Sequence, residues 1–163
     1  MALWATMMDA VVLRTVRPED EAALFALFAA IRSEELAMAG WDAALRDLVL
    51  RQQFDAQRRG HRAQYPAASE QLILFADRPI GWMVFDRSGS TWHCVDIAIA
   101  PEFRRRKIAT DILRSLQDEA AASSRAIGLM VLRSNAAARA LYDGLGFRPS
   151  GGTGTHWFME WRA

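Results

Sequence analysis

The chain has 163 residues, with 20 Lys+Arg against 19 Asp+Glu, and 52% of it is hydrophobic. A balance so close to neutral argues against a protein that lives on bulk nucleic-acid electrostatics, so any anion site has to be local. Cys94 stands alone, which rules out an intrachain disulfide or a cysteine-built metal framework, and His61, His93 and His156 lack ligand spacing such as HExxH. No metal is expected, and the composition suits a cytoplasmic protein with one globular core.

The opening "MALWATMMDA" lacks a cationic start and Asp9 interrupts its apolar run, so a secretory signal is not expected there. Residues 1–9 are expected to be a flexible extension, with initiation at Met7 or Met8 as an alternative start, and 10–163 a single domain. No apolar stretch approaches the roughly 18–20 residues that span a bilayer, so no membrane partner is expected. "AVVLRTVRP" (10–18) is β-branched and ends at a proline, the pattern of a first strand. The next segment places Leu24, Leu27, Phe28 and Ile31 on one helical face behind an acidic start. Gly40 breaks it. A second helix is expected from Asp42 toward Gly60, with Leu45, Leu48 and Val49 on its apolar side, followed over 61–70 by a loop or a ragged helix end that Pro66 stops.

The period then changes to that of strands, at 71–76, 80–86 and 91–100. The turns between them are built on Asp77-Arg78-Pro79 and Ser88-Gly89-Ser90, the pattern of an antiparallel meander. From Arg104 the helical period returns through Ile108, Ile112, Leu113, Leu116 and Ala120. "AIGLMVL" (126–132) is a strand, and a short helix capped by Ser134 or Asn135 follows it. A brief strand at 147–149, a small loop at 150–155 and a closing strand at 155–162 complete the chain. The class is α/β (α+β): a mixed, mostly antiparallel sheet of six to seven strands flanked by about four helices.

Four cations, Arg104, Arg105, Arg106 and Lys107, stand where a strand ends and a helix begins. A helix start presents several backbone N–H groups without partners and about half a positive charge. That makes it an anion site before any side chain is counted. Cations there oppose the helix dipole, so a purely structural purpose would favour Asp or Glu instead.

The segment "VDIAIAPEFRRRKIATDILRSL" resembles the acetyl-CoA-binding segment of the GNAT acetyltransferase superfamily: an apolar strand, a Pro, then Arg/Gln-x-x-Gly-x-Gly/Ala opening a helix. Arg104 falls on the leading position and Ala109 on the last. "NAAARALYDGLGF" resembles the second family signature, with Asn135, Ala138, Leu141, Tyr142, Gly146 and Phe147 in register. The resemblance covers nearly the whole chain. It implies a GNAT-like fold, acetyl-CoA as co-substrate, and an N-acetyltransferase acting on a primary amine of a small molecule or protein by direct attack.

By that resemblance the cofactor residues are Ile97, Ala98 and Ile99 along the pantetheine arm, Arg104, Arg105, Arg106, Lys107, Ile108, Ala109 and Thr110 at the phosphates, and Asn135, Ala138 and Tyr142 beyond them. Lys107 departs from the pattern, which has Gly there to let backbone approach the pyrophosphate. Tyr142 is the expected proton donor to the leaving thiolate. For the base, Asp96 is placed first, since a lone carboxylate in the apolar "CVDIAIAP" is costly unless paired or used. His93 is the other candidate, but an odd separation sets the two on opposite faces of a regular strand, unless a bulge intervenes. Glu34 and Glu35 are candidates to attract a cationic acceptor. Tyr65 and the basic "RRGHRAQY" stretch point instead to an anionic one. Arg139 is a solvated cation or a phosphate contact.

Two other classes remain. Lys107 motivates a non-catalytic acyl-CoA-binding or regulatory domain with a degenerate phosphate loop. A nucleic-acid module using Arg104–Lys107 is disfavoured by the charge balance and by the lack of basic-aromatic interleaving. The six tryptophans serve a core or a homodimer face, the core being the default.

Overall fold

The computed structural model describes residues 11–37 and 40–163, and for 34–37 the backbone alone. The extension expected over 1–9 lies outside the described residues. The first strand, β1 (Val11–Thr15), is shorter than its apolar pattern because Pro18 opens a short 3-10 turn, Pro18–Asp20. Asp20 closes that corner. Its two carboxylate oxygens accept from Arg14 Nη1 and Nη2 at 2.9 and 2.8 Å, and Oδ2 also accepts from the Arg17 N–H at 2.7 Å.

Two helices follow, α1 (Glu21–Ala37) and α2 (Ala43–Gln64), the second started by Asp42, whose Oδ1 accepts from the Leu45 N–H at 2.8 Å. Leu24, Leu27 and Phe28 are buried as their spacing predicts. The expected apolar side of α2 is corrected. Leu45 and Leu48 are 44% and 56% exposed, and the face that packs inward carries Leu50 and Phe54. Phe54 meets Phe25 and Phe28 edge-on at 5.6 and 5.5 Å between ring centroids, and this aromatic stack chooses the face. The helix also runs through 61–64, so of the two readings of that stretch, loop or helix end, the second holds. No breaker acts until Pro66, which forces Tyr65 out of helical geometry at φ −130°, ψ 70°.

The meander is β2 (Ser69–Phe75), β3 (Arg78–Asp86) and β4 (Thr91–Ile99). A parallel strand needs a covered crossover, supplied by α3 (Ile108–Ala122) leading to β5 (Ala126–Leu132). Then come α4 (Ala136–Gly144), β6 (Arg148–Gly152) and β7 (His156–Trp161). The seven strands lie in the order β1-β2-β3-β4-β5-β7-β6, antiparallel except between β4 and β5. This is the mostly antiparallel sheet with four helices that the pattern of elements implies. Strand β6 reaches into the expected 150–155 loop because backbone pairing with β7 holds an exposed, glycine-rich segment extended. The helix expected from Arg104 begins at Ile108, after a 3-10 turn at Pro101–Phe103. No described helix is long and apolar enough to cross a membrane.

The core lies on both sides of the sheet's centre, with Leu72, Ile73, Ile80, Met83, Leu113 and Ile127 wholly buried. Each contributes about 1.5–3 kcal/mol. Strands β3 and β4 meet with two local constraints. A Cβ on Gly81 would stand 2.2 Å from the Ala98 carbonyl oxygen, so only glycine lets the strands pair there. The register passes from Val84 opposite Asp96 to Phe85 opposite Cys94, which leaves Val95 as a bulge.

Candidate active site

Strands β4 and β5 pair from Thr91/Ala126 to Cys94/Leu129 and then part. Beyond that point β4 continues to Ile99 paired with β3 alone, and β5 continues to Leu132 paired with β7 alone. The half of β4 that holds Ile97, Ala98 and Ile99 therefore turns one backbone edge toward a gap. Their side chains are half-buried against the core, which leaves the main chain as the group they offer.

That edge leads into the cationic turn. Arg104 Nε donates to the Ile99 carbonyl at 3.1 Å, and the Arg106 guanidinium lies 5.1 Å from the centre of the Phe103 ring. Arg105 and Lys107 both take left-handed backbone, φ 58° and 63°. Lys107 is the place where the pattern described above carries glycine. The loop keeps a glycine-type path although its residues are not glycine, at a cost of order 1 kcal/mol each. Lys107 is the N-cap of α3 and makes no side-chain cap bond. The Ile108 side chain is buried in the core, so toward a ligand this residue can offer its N–H alone. Ala109 and Thr110 stand half-exposed in the same turn.

Tyr142, on α4, is 8% exposed and packs edge-on to Phe147 at 5.8 Å. Burial, with smaller contributions from nearby Cys94 and Asp96, holds its phenol protonated far above the ordinary tyrosine range. Cys94 is buried, and its thiol is pushed up to about 12, mainly by desolvation. Asn135 caps α4 by accepting from the Ala138 N–H at 3.0 Å. Arg139 donates to Asp143 at 3.0 Å and lies over Trp157.

Asp96 is paired, though not to backbone or arginine. Its Oδ2 accepts from Gln57 Nε2 at 2.7 Å and from Trp82 Nε1 at 2.8 Å. The Val95 bulge also removes the opposition expected between Asp96 and His93. Residues directly opposite across a ladder share a face. Asp96 faces with Val84 and His93 with Asp86, two residues apart on β3, so both project toward α1 and α2. Cys94 projects to the other face, with Phe85.

On the α2 side a cleft of about 500 Å³ opens over the parting strands, lined among others by Tyr65, His93, Met130, Phe158 and Glu160. Tyr65 packs against His93 with ring centroids 5.5 Å apart and planes inclined by 41°, and desolvation raises its phenol's pKa. The floor beneath His93 is Gly128, where a Cβ would come within 3.7 Å of the imidazole. Of the basic stretch near it, Arg58 is held by Glu21 and Glu70, and Arg62 reaches Glu70 at 3.7 Å. The Glu34 and Glu35 side chains lie outside the described residues. Among the described residues no His, Cys, Asp and Glu group could hold a metal ion.

Gln57, Trp82 and His93 belong to this site, and sequence spacing points to neither of the first two. The partners of Asp96 lie 39 and 14 residues from it, on a different helix and strand.

A family model described as "Acetyltransferase (GNAT) family" matches residues 26–147. No curated protein matches the chain. Among solved structures, the PaiA N-acetyltransferase of Thermoplasma acidophilum in complex with coenzyme A is similar at TM-score 0.71 and 14% identity, covering 94% of this chain and 99% of its own. An acetyltransferase of Thermus thermophilus is similar at 0.69 and 19%, covering 94% and 97%. The ribosomal-protein-S18-alanine N-acetyltransferase of Escherichia coli is similar at 0.63 and 17%, covering 93% of each chain.

Proposed function

The chain belongs to the acetyltransferase (GNAT) family and is an acyltransferase; from that premise we propose that it moves an acetyl group from acetyl-CoA to a primary amine by direct attack. The observation that carries the reading is the parting of β4 from β5 after Cys94 and Leu129, with the free edge of β4 leading to an uncapped helix start.

The residues fit such a co-substrate. The edge at Ile97–Ile99 offers backbone donors and acceptors to an amide-bearing arm. The N–H groups of Ile108, Ala109 and Thr110 open α3 with no cap bond from the Lys107 side chain, and together with the helix dipole and Arg104–Lys107 they suit a pyrophosphate. Asn135 and Ala138, at the start of α4, are the further cofactor contacts that the family resemblance implies. The left-handed path at Lys107 answers the departure from glycine: it costs strain, and the shape of the loop survives.

Acetyl-CoA, when bound, supplies an acyl carbon already activated as a thioester. A lysine-like amine costs about 4–5 kcal/mol to present neutral at pH 7. Asp96 takes the proton that the amine gives up as its N–C bond forms. Only Oδ2 is engaged by Gln57 and Trp82, which fixes the carboxylate and leaves Oδ1 outside both bonds. Tyr142 gives its phenolic proton to the sulfur released as the C–S bond breaks, and its buried position keeps that proton in place until then. A cytoplasmic setting belongs to the proposal and accords with a lone, buried thiol.

Thermal unfolding with acetyl-CoA, with CoA and with ATP tests the reading. A ligand at 100 times its Kd adds about 2.7 kcal/mol, or roughly 5–10 °C here. A shift is expected for both CoA species and not for ATP. No shift at millimolar acetyl-CoA would overturn the proposal.

A further inference from the structure

The cleft beside the parting strands carries a selectivity that sequence cues leave contradictory. Its walls carry aromatic and apolar groups, with the Tyr65 and His93 rings in contact on one side and Phe158 and Met130 also lining it, among polar groups from His61, Gln64, Thr91 and Ser150. No Arg or Lys lines it among the described residues. Of the basic stretch at the end of α2, which suggests an anionic acceptor, His61 lines the cleft while two arginines reach acids elsewhere. Arg58 is locked between Glu21 and Glu70, and Arg62 turns to Glu70 with 68% of its side chain exposed. The acids remain. Glu160 lines the cleft, held by Arg162 at 2.6 Å, and Asp86 pairs with His93 across the ladder while Ser88 binds its carboxylate.

A carboxylate or phosphate brought into this space would give up water with no Arg or Lys in the lining to meet it, and the Glu160 carboxylate would stand near it. A volume of about 500 Å³ suits a ring on a short arm. We propose that the acceptor is a small arylalkyl primary amine, an aromatic body bearing no carboxylate or phosphate, seated between the Tyr65–His93 pair and Phe158 with its nitrogen toward the gap between β4 and β5. This rests on the acetyl-transfer reading above.

The test measures CoA release from acetyl-CoA by the full chain with 2-phenylethylamine, L-phenylalanine, L-phenylalaninamide and a short peptide with an N-terminal phenylalanine. Binding of acetyl-CoA is titrated separately. The first amine is expected to exceed L-phenylalanine in kcat/KM by about a hundredfold or more, which is what an unpaired buried carboxylate costs. L-Phenylalaninamide, similar in size but without the carboxylate, should recover to within about tenfold of the amine. Gln64→Arg, which adds a cation at the rim, should narrow the gap against L-phenylalanine at least about tenfold. Equal turnover of L-phenylalanine, preference for the peptide, or no turnover of any amine while acetyl-CoA binds would each overturn the acceptor assignment and leave the acetyl-donor reading standing. Failure of acetyl-CoA to bind would overturn both.

Discussion

The indole N–H of Trp82 donates to Asp96 Oδ2 at 2.8 Å, across paired strands in the α-helical half of the core. Trp82 is itself packed against Phe28, with ring centroids 6.3 Å apart, so the donor is held by the core and cannot swing away. The carboxylate proposed as the base is thus aimed by a residue whose place is decided by α1.

Asp96→Asn is expected to lower kcat about 10²-fold or more, the usual contribution of a positioned base, while acetyl-CoA affinity stays within about threefold. Trp82→Phe keeps the ring packing and removes one donor. It should lower kcat by a smaller factor, about tenfold, and raising pH should restore part of the loss for amines that then arrive neutral. Steady-state kinetics against pH with a fixed amine checks both. Full activity in the Asn variant would remove Asp96 from the chemistry.

Tyr142→Phe should lower kcat about 10²-fold with an unchanged KM for acetyl-CoA, because the ring packing on Phe147 survives and only the proton is lost. The folded phenol titrates above the unfolded one, which ionises near ~10. Its contribution to stability is therefore intact below that pH and lost as pH rises past it toward the folded value. Denaturant titrations on either side of that pH should show an alkaline decline in the parent that Tyr142→Phe lacks in part. An identical decline in both would show that the phenol is not held protonated by the fold.

Lys107 sits at φ 63°. Lys107→Gly should leave acetyl-CoA KM within about threefold, since glycine follows the same path without strain. Lys107→Val, β-branched in left-handed backbone, should lose about 1–2 kcal/mol of stability and much of the cofactor affinity. Calorimetry with acetyl-CoA separates them. Tight binding by the Val variant would mean that the turn's path does not matter to the site.

Asp20→Asn should lower Tm at neutral pH. The Arg14 guanidinium and the Arg17 N–H hold the Asp20 carboxyl below its ordinary range, so its contribution is present above about pH 4 and lost as pH falls through the folded value. The difference in Tm between parent and variant should shrink as the pH is taken below that window. A gap that persists in acid would assign it to packing and not to charge.

The alternation of elements, the α3 stripe through Ile108, Ile112 and Leu116, and the Asn135 cap are all legible in sequence because each depends on neighbours within a few residues. Tertiary choices are less so. Helix α2 carries apolar residues in two directions, and only the ring cluster of Phe25, Phe28 and Phe54 decides between them. Asp96 stands out from its apolar strand, yet Gln57 and Trp82 do not, since their part arises from register between distant segments. Strand β6 shows no apolar alternation at all, and only β7 makes it a strand.

The bulge at Val95 gives β4 a parity. Everything from Thr91 to Cys94 depends on one uncounted residue between it and Asp96 for the side of the sheet it faces. Pairing Val95 in register with Phe85 would not merely straighten the strand. It would rotate that half by one step, turning the imidazole of His93 into the space now filled by a thiol and delivering the thiol of Cys94 to the cleft. Composition and helices would be unaltered, and a protein with the same fold would present different chemistry to whatever enters.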